Sequence, residues 1–186
     1  QNQPLRYIGI DFSVAALHAA QDATSDALKH VDRLFSGRIS GPTPVSQQWV
    51  RGRSVETLPF ADHSFDRIVA NLSLSFSRSP LHALRELFRV LRPGGKLIVS
   101  VITPLADMAL PYRSSLQELG VDAFSGDARL ALNRMAQCCV ALRVGQLHAF
   151  QEESLSAALA QVTSTPTRLV RTFSGQILVA LAEKPD

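Results

Sequence analysis

The chain has 186 residues, which at ~150 residues per domain predicts a single domain able to bury roughly 70% of its unfolded surface. Apolar residues make up 46% and charged residues 19%, values that exclude a disordered or fibrous chain, and no run approaches the ~18 apolar residues of a membrane-spanning helix. The net charge of +3 comes from scattered basic residues, mostly Arg. No block of like charges suggests a nucleic-acid-binding arm. Gln1 to Arg6 is polar and unlike a secretory signal. The only cysteines, Cys138 and Cys139, are adjacent in a helical pattern. They read as small buried residues of a reducing compartment, which predicts a cytoplasmic protein.

Tyr7–Ile10 is a short apolar run ending at Asp11 and reads as a buried strand. Ser13 fits a helix N-cap before an Ala-rich stretch to about Leu34. Ser36 to Gln48, with two Gly and two Pro, reads as a loop, and Trp49-Val50 begins a second strand. A turn-rich connector follows, and Phe65 to Leu74 reads as the next strand. Ser79-Pro80 starts a helix with Pro at its first position. Its apolar stripe is Leu81, Leu84, Leu87, Phe88 and Leu91. Pro93-Gly94-Gly95 is expected to stop that helix and turn the chain, and Leu97 to Ile102 is expected to form a strand buried on both faces.

Helices are predicted over Tyr112–Leu119 and about Ala128–Val144, the second closed by Gly145, and over Glu152–Val162. The end reads as a hairpin, Arg168–Phe173 and Gln176–Ala182, joined by a two-residue primed turn at Ser174-Gly175. Strands alternating with helices predict an α/β fold with a mostly parallel sheet and a C-terminal antiparallel hairpin. The whole chain, 1–186, is expected to be one domain: an α/β core over 1–103, a helical insert or lid over 104–150, and a terminal helix and hairpin over 151–186.

In an open parallel sheet, ligands bind outside the carboxyl ends of the strands. Asp11 ends the first strand, where an acid either accepts hydrogen bonds from ribose hydroxyls or caps the next helix beside Ser13. Two further strings stand near strand ends, Ser54 to Phe60 with Asp62 and Phe65-Asp66, and Leu87 to Gly95. Together, IGIDFSVAALHAA, ETLPFADHSFDRIVANLSL and ALRELFRVLRPGGKLIVS resemble, in order and spacing over about Tyr7 to Ser100, the Rossmann-like class I S-adenosylmethionine-dependent methyltransferases. The nearest branch is that of the methyltransferase type 11 and ubiquinone/menaquinone C-methyltransferase group. The terminal FSGQILVALAEK resembles that family's closing hairpin.

The resemblance implies S-adenosylmethionine as cofactor and a small-molecule substrate with an oxygen, nitrogen or carbon nucleophile. It puts Asp11 on the ribose hydroxyls, Phe12 against the adenine, Ser54 and Val55 at the adenine edge, and Asn71 at the mouth shared by cofactor and substrate. Phe65-Asp66 and Pro93-Gly94-Gly95 are architectural in this reading. No catalytic residue is singled out, because the sulfonium is already activated and the protein chiefly aligns the reactants.

Two departures stand out. The family's D/E-x-G-x-G-x-G loop and first strand have no counterpart here and would fall before Gln1. The family's first strand lies between its second and fourth, so its slot is expensive to leave empty. The chain is therefore expected to be cut from a longer polypeptide, to receive the strand from a partner such as a second copy, or to have closed the gap. Ser54 stands where relatives often have Asp to hold the adenine amino group, and Ser75 and Phe76 where relatives often have His; a hydroxyl is a weaker acceptor than a carboxylate.

Other residues point to no chemistry. His18, His30, His63, His82 and His148 lack zinc-ligand spacing with the cysteines. His148 reads as a packing or surface residue. Arg51 and Arg53 read as a solvated face, and Arg85, Arg89 and Arg92 as a solvent-side stripe or a surface for an acidic partner. The competing function is a non-catalytic methyltransferase-like binding or scaffold module.

Overall fold

The computed structural model describes residues 5–35, 45–107 and 140–186, with isolated positions between 110 and 137. Apart from those positions and 140–144, the predicted helices over Tyr112–Leu119 and about Ala128–Val144 lie outside the described residues, as do Tyr112, Cys138, Cys139 and His30's side chain. The chain divides into two compact units, Gln1–Ser54 and Val55–Asp186.

The first unit is built on a strand–helix–strand crossover. Strand β1 (Leu5–Asp11) runs parallel to β2 (Val45–Arg51), in register from Leu5 against Val45 to Asp11 against Arg51. Helix α1 (Val14–Phe35) connects them. Its start follows from local chemistry: Ser13 Oγ accepts the Ala16 N–H (3.2 Å), and Asp11 Oδ1 accepts the Ser13 N–H (2.8 Å), so two amides left orphaned by helix geometry are satisfied. Strand β2 begins at Val45, four residues before the predicted Trp49, within the span read as a loop. Ser46, Gln47 and Gln48 are polar and weak strand formers, but backbone pairing with β1 recruits them. Gly9 lies beneath the Trp49 ring, and a Cβ there would run into it.

The second unit holds a four-stranded sheet in the order β3 (Phe65–Asn71), β4 (Leu91–Ile102), β6 (Ile177–Glu183), β5 (Arg168–Thr172). β3 and β4 are parallel; β4–β6 and β6–β5 are antiparallel. A short helix α2 (Ser73–Phe76) and the amphipathic α3 (Pro80–Val90) separate β3 from β4, and α4 (Glu152–Ala160) precedes the hairpin. Leu97, Val99 and Val101 of β4 and Leu178 of β6 are fully buried, together with Leu84 of α3 and Leu155 and Leu159 of α4.

β4 is not buried on both faces as expected. Val69, Ile98 and Leu181 are cross-strand neighbours on the other face and stay 70%, 39% and 37% exposed. Helices cover one side of this sheet, and among the described residues the middle of the other side is open. β1 and β3 are each the edge of their own sheet among the described residues.

Three other expectations are corrected. β4 starts at Leu91, ahead of Pro93-Gly94-Gly95. Phe65 pairs with Leu91 and Arg67 with Lys96, so the glycines sit in a bulge inside the strand, where Gly94 takes φ +66° and donates to the Lys184 carbonyl (2.9 Å). β3 ends at Asn71, not Leu74, because Leu72 turns left-handed (φ 55°) into α2. The hairpin turn spans four residues, since Thr172 pairs with Ile177. Phe173, Ser174 and Gly175 all have positive φ, so the left-handed turn predicted at Ser174-Gly175 is present but longer. Gly145 does close its helix, at φ +74°, with its N–H on the Leu142 carbonyl and the Gln146 N–H on the Ala141 carbonyl, a Schellman arrangement.

The arginine stripe is largely internal wiring. Arg89 donates to both Glu86 oxygens (2.8 Å each), to Asp62 (2.6 Å) and to the Leu58 carbonyl (3.2 Å). Glu86 also accepts the Leu58 N–H (2.8 Å). The 58–62 connector is thereby tied to α3. Arg92 pairs with Asp66. At the same C-terminal end of α3, Lys184 Nζ donates to the Phe88 and Leu91 carbonyls (2.5 and 2.7 Å), capping orphan acceptors of the helix end. Burial lowers the Lys184 ammonium pKa from its ordinary value.

Two predictions follow from this packing. Leu97→Ala should cost ~2–5 kcal/mol of stability through the cavity it leaves, whereas Val69→Thr, on the open face, should stay within about 0.5 kcal/mol; paired urea titrations measure both. The Arg89 hydrogen bond holds the Glu86 carboxyl below its ordinary value of 4.5. Its stabilisation is therefore complete above that value and is lost as the pH falls through the lower folded value. Glu86→Gln should show a flatter loss of stability than the parent as pH falls below 4.5, read as denaturation midpoints across a pH series.

Candidate functional site

Each unit carries part of the predicted site at strand carboxyl ends. In the first unit, Asp11 is half-buried at the end of β1. One of its oxygens is engaged by the Ser13 N–H, which matches the helix-capping reading. A carboxylate has about four lone-pair sites, so this bond leaves acceptor capacity for a diol. Gly52 donates to the Asp11 carbonyl (2.9 Å), and Arg51 Nε donates to the Phe12 carbonyl (3.4 Å). These bonds hold the backbone on both sides of the Asp11-Phe12 peptide. The Phe12 side chain is 66% exposed, an aromatic face standing in solvent beside a carboxylate. Ser54 is half-buried at the end of this unit.

In the second unit, Val55 is half-buried and Glu56 follows it. Glu56 Oε1 accepts the Ser77 hydroxyl (2.6 Å) and the Ser79 N–H (2.8 Å), so this acid braces the approach to α3. The Ser79 side chain makes no cap bond itself.

Asn71 is the last residue of β3 and is exposed. Its Oδ1 lies 2.5 Å from Ser100 Oγ on the adjacent β4, and Asn71 and Ser100 are register partners. Ser100 Oγ and the Ser100 carbonyl both accept the Leu72 N–H (3.0 Å each). The left-handed Leu72 costs about 1–2 kcal/mol. Its side chain packs against Ile102, Ala106 and Leu142, and burying a leucine contributes ~1.5–3 kcal/mol when complete, enough to hold the turn. Beside it, Ser75 is fully buried; its Oγ accepts the Ile102 N–H (3.4 Å) and its carbonyl the His148 N–H (2.9 Å). The neighbouring Phe76 is exposed. The His148 side chain is exposed, in keeping with a surface role.

Asn71 is thus brought together with Ser100, Leu72 and Ser75 within its unit. Asp11 and Phe12 are adjacent at one strand end in theirs. The sequence reading missed Ser100, and it left Glu56 without a role. For Ser100 there was a signal, a single hydroxyl interrupting the apolar run Leu97–Ile102; Glu56 gave none that separated bracing from binding. A groove of about 330 Å³ lined by Arg85, Phe88, Arg89, Gln161, Val162, Lys184 and Pro185 lies at the amino end of β4, opposite the end that carries Asn71. Among the described residues no group of three His, Cys, Asp or Glu could hold a metal ion, and no helix is long and apolar enough to cross a membrane.

Comparison with known proteins identifies the family. A family model described as a methyltransferase domain matches residues 1–99. The chain is 38% identical over 80 residues to a ubiquinone/menaquinone biosynthesis C-methyltransferase of Roseobacter denitrificans, covering 43% of this chain and 32% of that protein. It is 51% identical over 49 residues to a malonyl-[acyl-carrier protein] O-methyltransferase of Erwinia pyrifoliae, covering 26% and 19%. The chain therefore matches less than a third of the length of either relative. Among solved structures, an S-adenosylmethionine-dependent methyltransferase of Methanosarcina mazei aligns over 100% of this chain and 94% of its own, with a TM-score of 0.53 at 18% identity, a likeness of fold. With the family model covering more than half of the 186 residues, the chain belongs to the methyltransferase-domain family, the Rossmann-like class I S-adenosylmethionine-dependent methyltransferases.

Proposed function

We propose that the protein transfers a methyl group from S-adenosylmethionine to an oxygen, nitrogen or carbon nucleophile of a small molecule. The observation that carries this reading is the pairing of Asp11 and Phe12 at the carboxyl end of β1, inside the family match. A carboxylate with acceptor capacity beside an exposed aromatic ring suits a ribose diol next to a purine. When bound, the cofactor supplies a methyl group on a positively charged sulfur.

In this reading Asp11 accepts the ribose hydroxyls, and the Ser13 N–H keeps its carboxylate aimed outward from the strand end. Phe12 lies against the adenine, and Ser54 and Val55 flank its edge, the Ser54 hydroxyl offering an acceptor to the amino group. Asn71 lines the mouth shared with the methyl acceptor. These residues bind and align; none is assigned a proton to move, because alignment and exclusion of water supply much of the barrier reduction in such a transfer. A further N-terminal segment or a second copy of the chain completes the sheet in this proposal, since exposed strand edges invite pairing. The protein acts in the cytoplasm and needs neither nucleic acid nor a membrane.

Calorimetric titration of S-adenosylmethionine into the chain tests the reading, with saturation at micromolar levels expected. Asp11→Asn keeps an oxygen for the Ser13 N–H and removes the charge. It should weaken binding by ~1–3 kcal/mol, the range for a charge-assisted hydrogen bond. Unchanged affinity in the folded variant would remove Asp11 from the site.

A further inference from the structure

The end of β3 contains a polar relay with a defined direction. Ser100 Oγ sits 2.5 Å from the Asn71 side-chain oxygen position. The hydroxyl is the donor and the amide oxygen the acceptor, the pairing whose usual separations are the shorter ones. The hydroxyl proton therefore points to Asn71 Oδ1. Ser100 Oγ also accepts the Leu72 N–H (3.0 Å), so its one proton and one of its two lone pairs are both engaged at the end of β3. Ser100 is buried in an inner strand of the sheet, so its own position is set by the sheet. With Oδ1 turned inward, the two protons on Asn71 Nδ2 face outward, because an amide carries its oxygen and NH2 on opposite sides.

We propose that Ser100 is a positioning residue that locks the Asn71 carboxamide as a hydrogen-bond donor, and that this donor selects a ligand presenting an acceptor oxygen at the carboxyl end of β3. The proposal rests on the methyltransferase reading for the identity of that ligand, an acceptor oxygen of the bound cofactor. It does not rest on that reading for the lock itself. Asn71 is exposed, and an exposed asparagine ordinarily samples several rotamers; the relay removes that freedom before the ligand arrives, which lowers the ordering cost of binding. The Leu72 N–H belongs to the same device, because the peptide that ends β3 directs it at Ser100.

Side-chain 15N relaxation of Asn71 tests the lock without any ligand. In the parent the Asn71 NH2 should be as rigid as the backbone, with an order parameter near about 0.85, and in Ser100→Ala it should fall below about 0.6. Ser100→Thr keeps the hydroxyl and should restore rigidity. The Leu72 N–H also bonds the Ser100 carbonyl (3.0 Å), so Ser100→Ala leaves that amide a partner and the turn in place. A mobile Asn71 amide in the parent, or an equally rigid one in Ser100→Ala, overturns the proposal.

The ligand is then probed with S-adenosylhomocysteine. Its titration should shift the Asn71 Nδ2 resonances, and Ser100→Ala should weaken its binding about three- to tenfold, the worth of one positioned neutral hydrogen bond, with Ser100→Thr near the parent. Binding that leaves Nδ2 unmoved and is equal in all three proteins overturns the assigned ligand. If the parent does not bind S-adenosylhomocysteine at all, the functional reading fails, and the relaxation result alone decides the lock.

Discussion

β4 is hydrogen-bonded on both sides, in parallel to β3 and in antiparallel to β6, and it turns Leu97, Val99 and Val101 into a core from which water is excluded. Most of the described structure in the second unit depends on that strand. α3 packs its apolar stripe against it, β6 carries β5 at its far side, and the carboxyl end supplies Ser100 and Ile102 to the candidate site. Burial of one face sets the register, because a shift of one residue would put Ile98 and Lys96 into the core in place of Leu97 and Val99.

The polar wiring around this strand works at both of its ends. At the amino end, Arg89, Glu86, Asp62 and Lys184 tie the connector and the last strand to α3. This is anchoring chemistry, and it accounts for arginines that look like a binding stripe when read at helical spacing. At the carboxyl end the groups are neutral: Asn71, Ser100, Ser75 and the Leu72 amide. A methyl donor that carries its own positive charge needs alignment more than proton transfer, and the proposed function gives that part to these sheet-held hydroxyls and amides. In the first unit, one carboxylate both caps α1 and stands at the strand end. The two readings of Asp11 are compatible because capping engages one of its oxygens.

Much of the architecture was legible in the chain. The strand at Tyr7–Ile10, the helix from Ser13, the helix from Ser79-Pro80 and the closing hairpin follow from apolar period, capping residues and turn chemistry, which act over a few neighbours. Two of the misread segments share one cause, pairing across long sequence separation. Ser46–Gln48 joins β2 because β1 offers a partner, and Leu91 joins β4 ahead of the glycines because Phe65 lies beside it. Leu72 bends left-handed because a distant cluster at Ala106 and Leu142 receives its side chain. Asp11, Phe12, Ser54, Val55 and Asn71 could be placed at strand ends from motif order.

By itself the sequence determined the α/β class, the order of strands and helices, and the family, since periodicity and local motifs are properties of contiguous residues. Tertiary structure decided which face of the second sheet is covered, which arginines are spent on anchoring, and how Asn71 is oriented. Each of these depends on partners far apart in the chain: Val69, Ile98 and Leu181 on one open face, Arg89 with Asp62, and Asn71 with Ser100 across 29 residues. Only the folded backbone brings such partners within hydrogen-bond or van der Waals range.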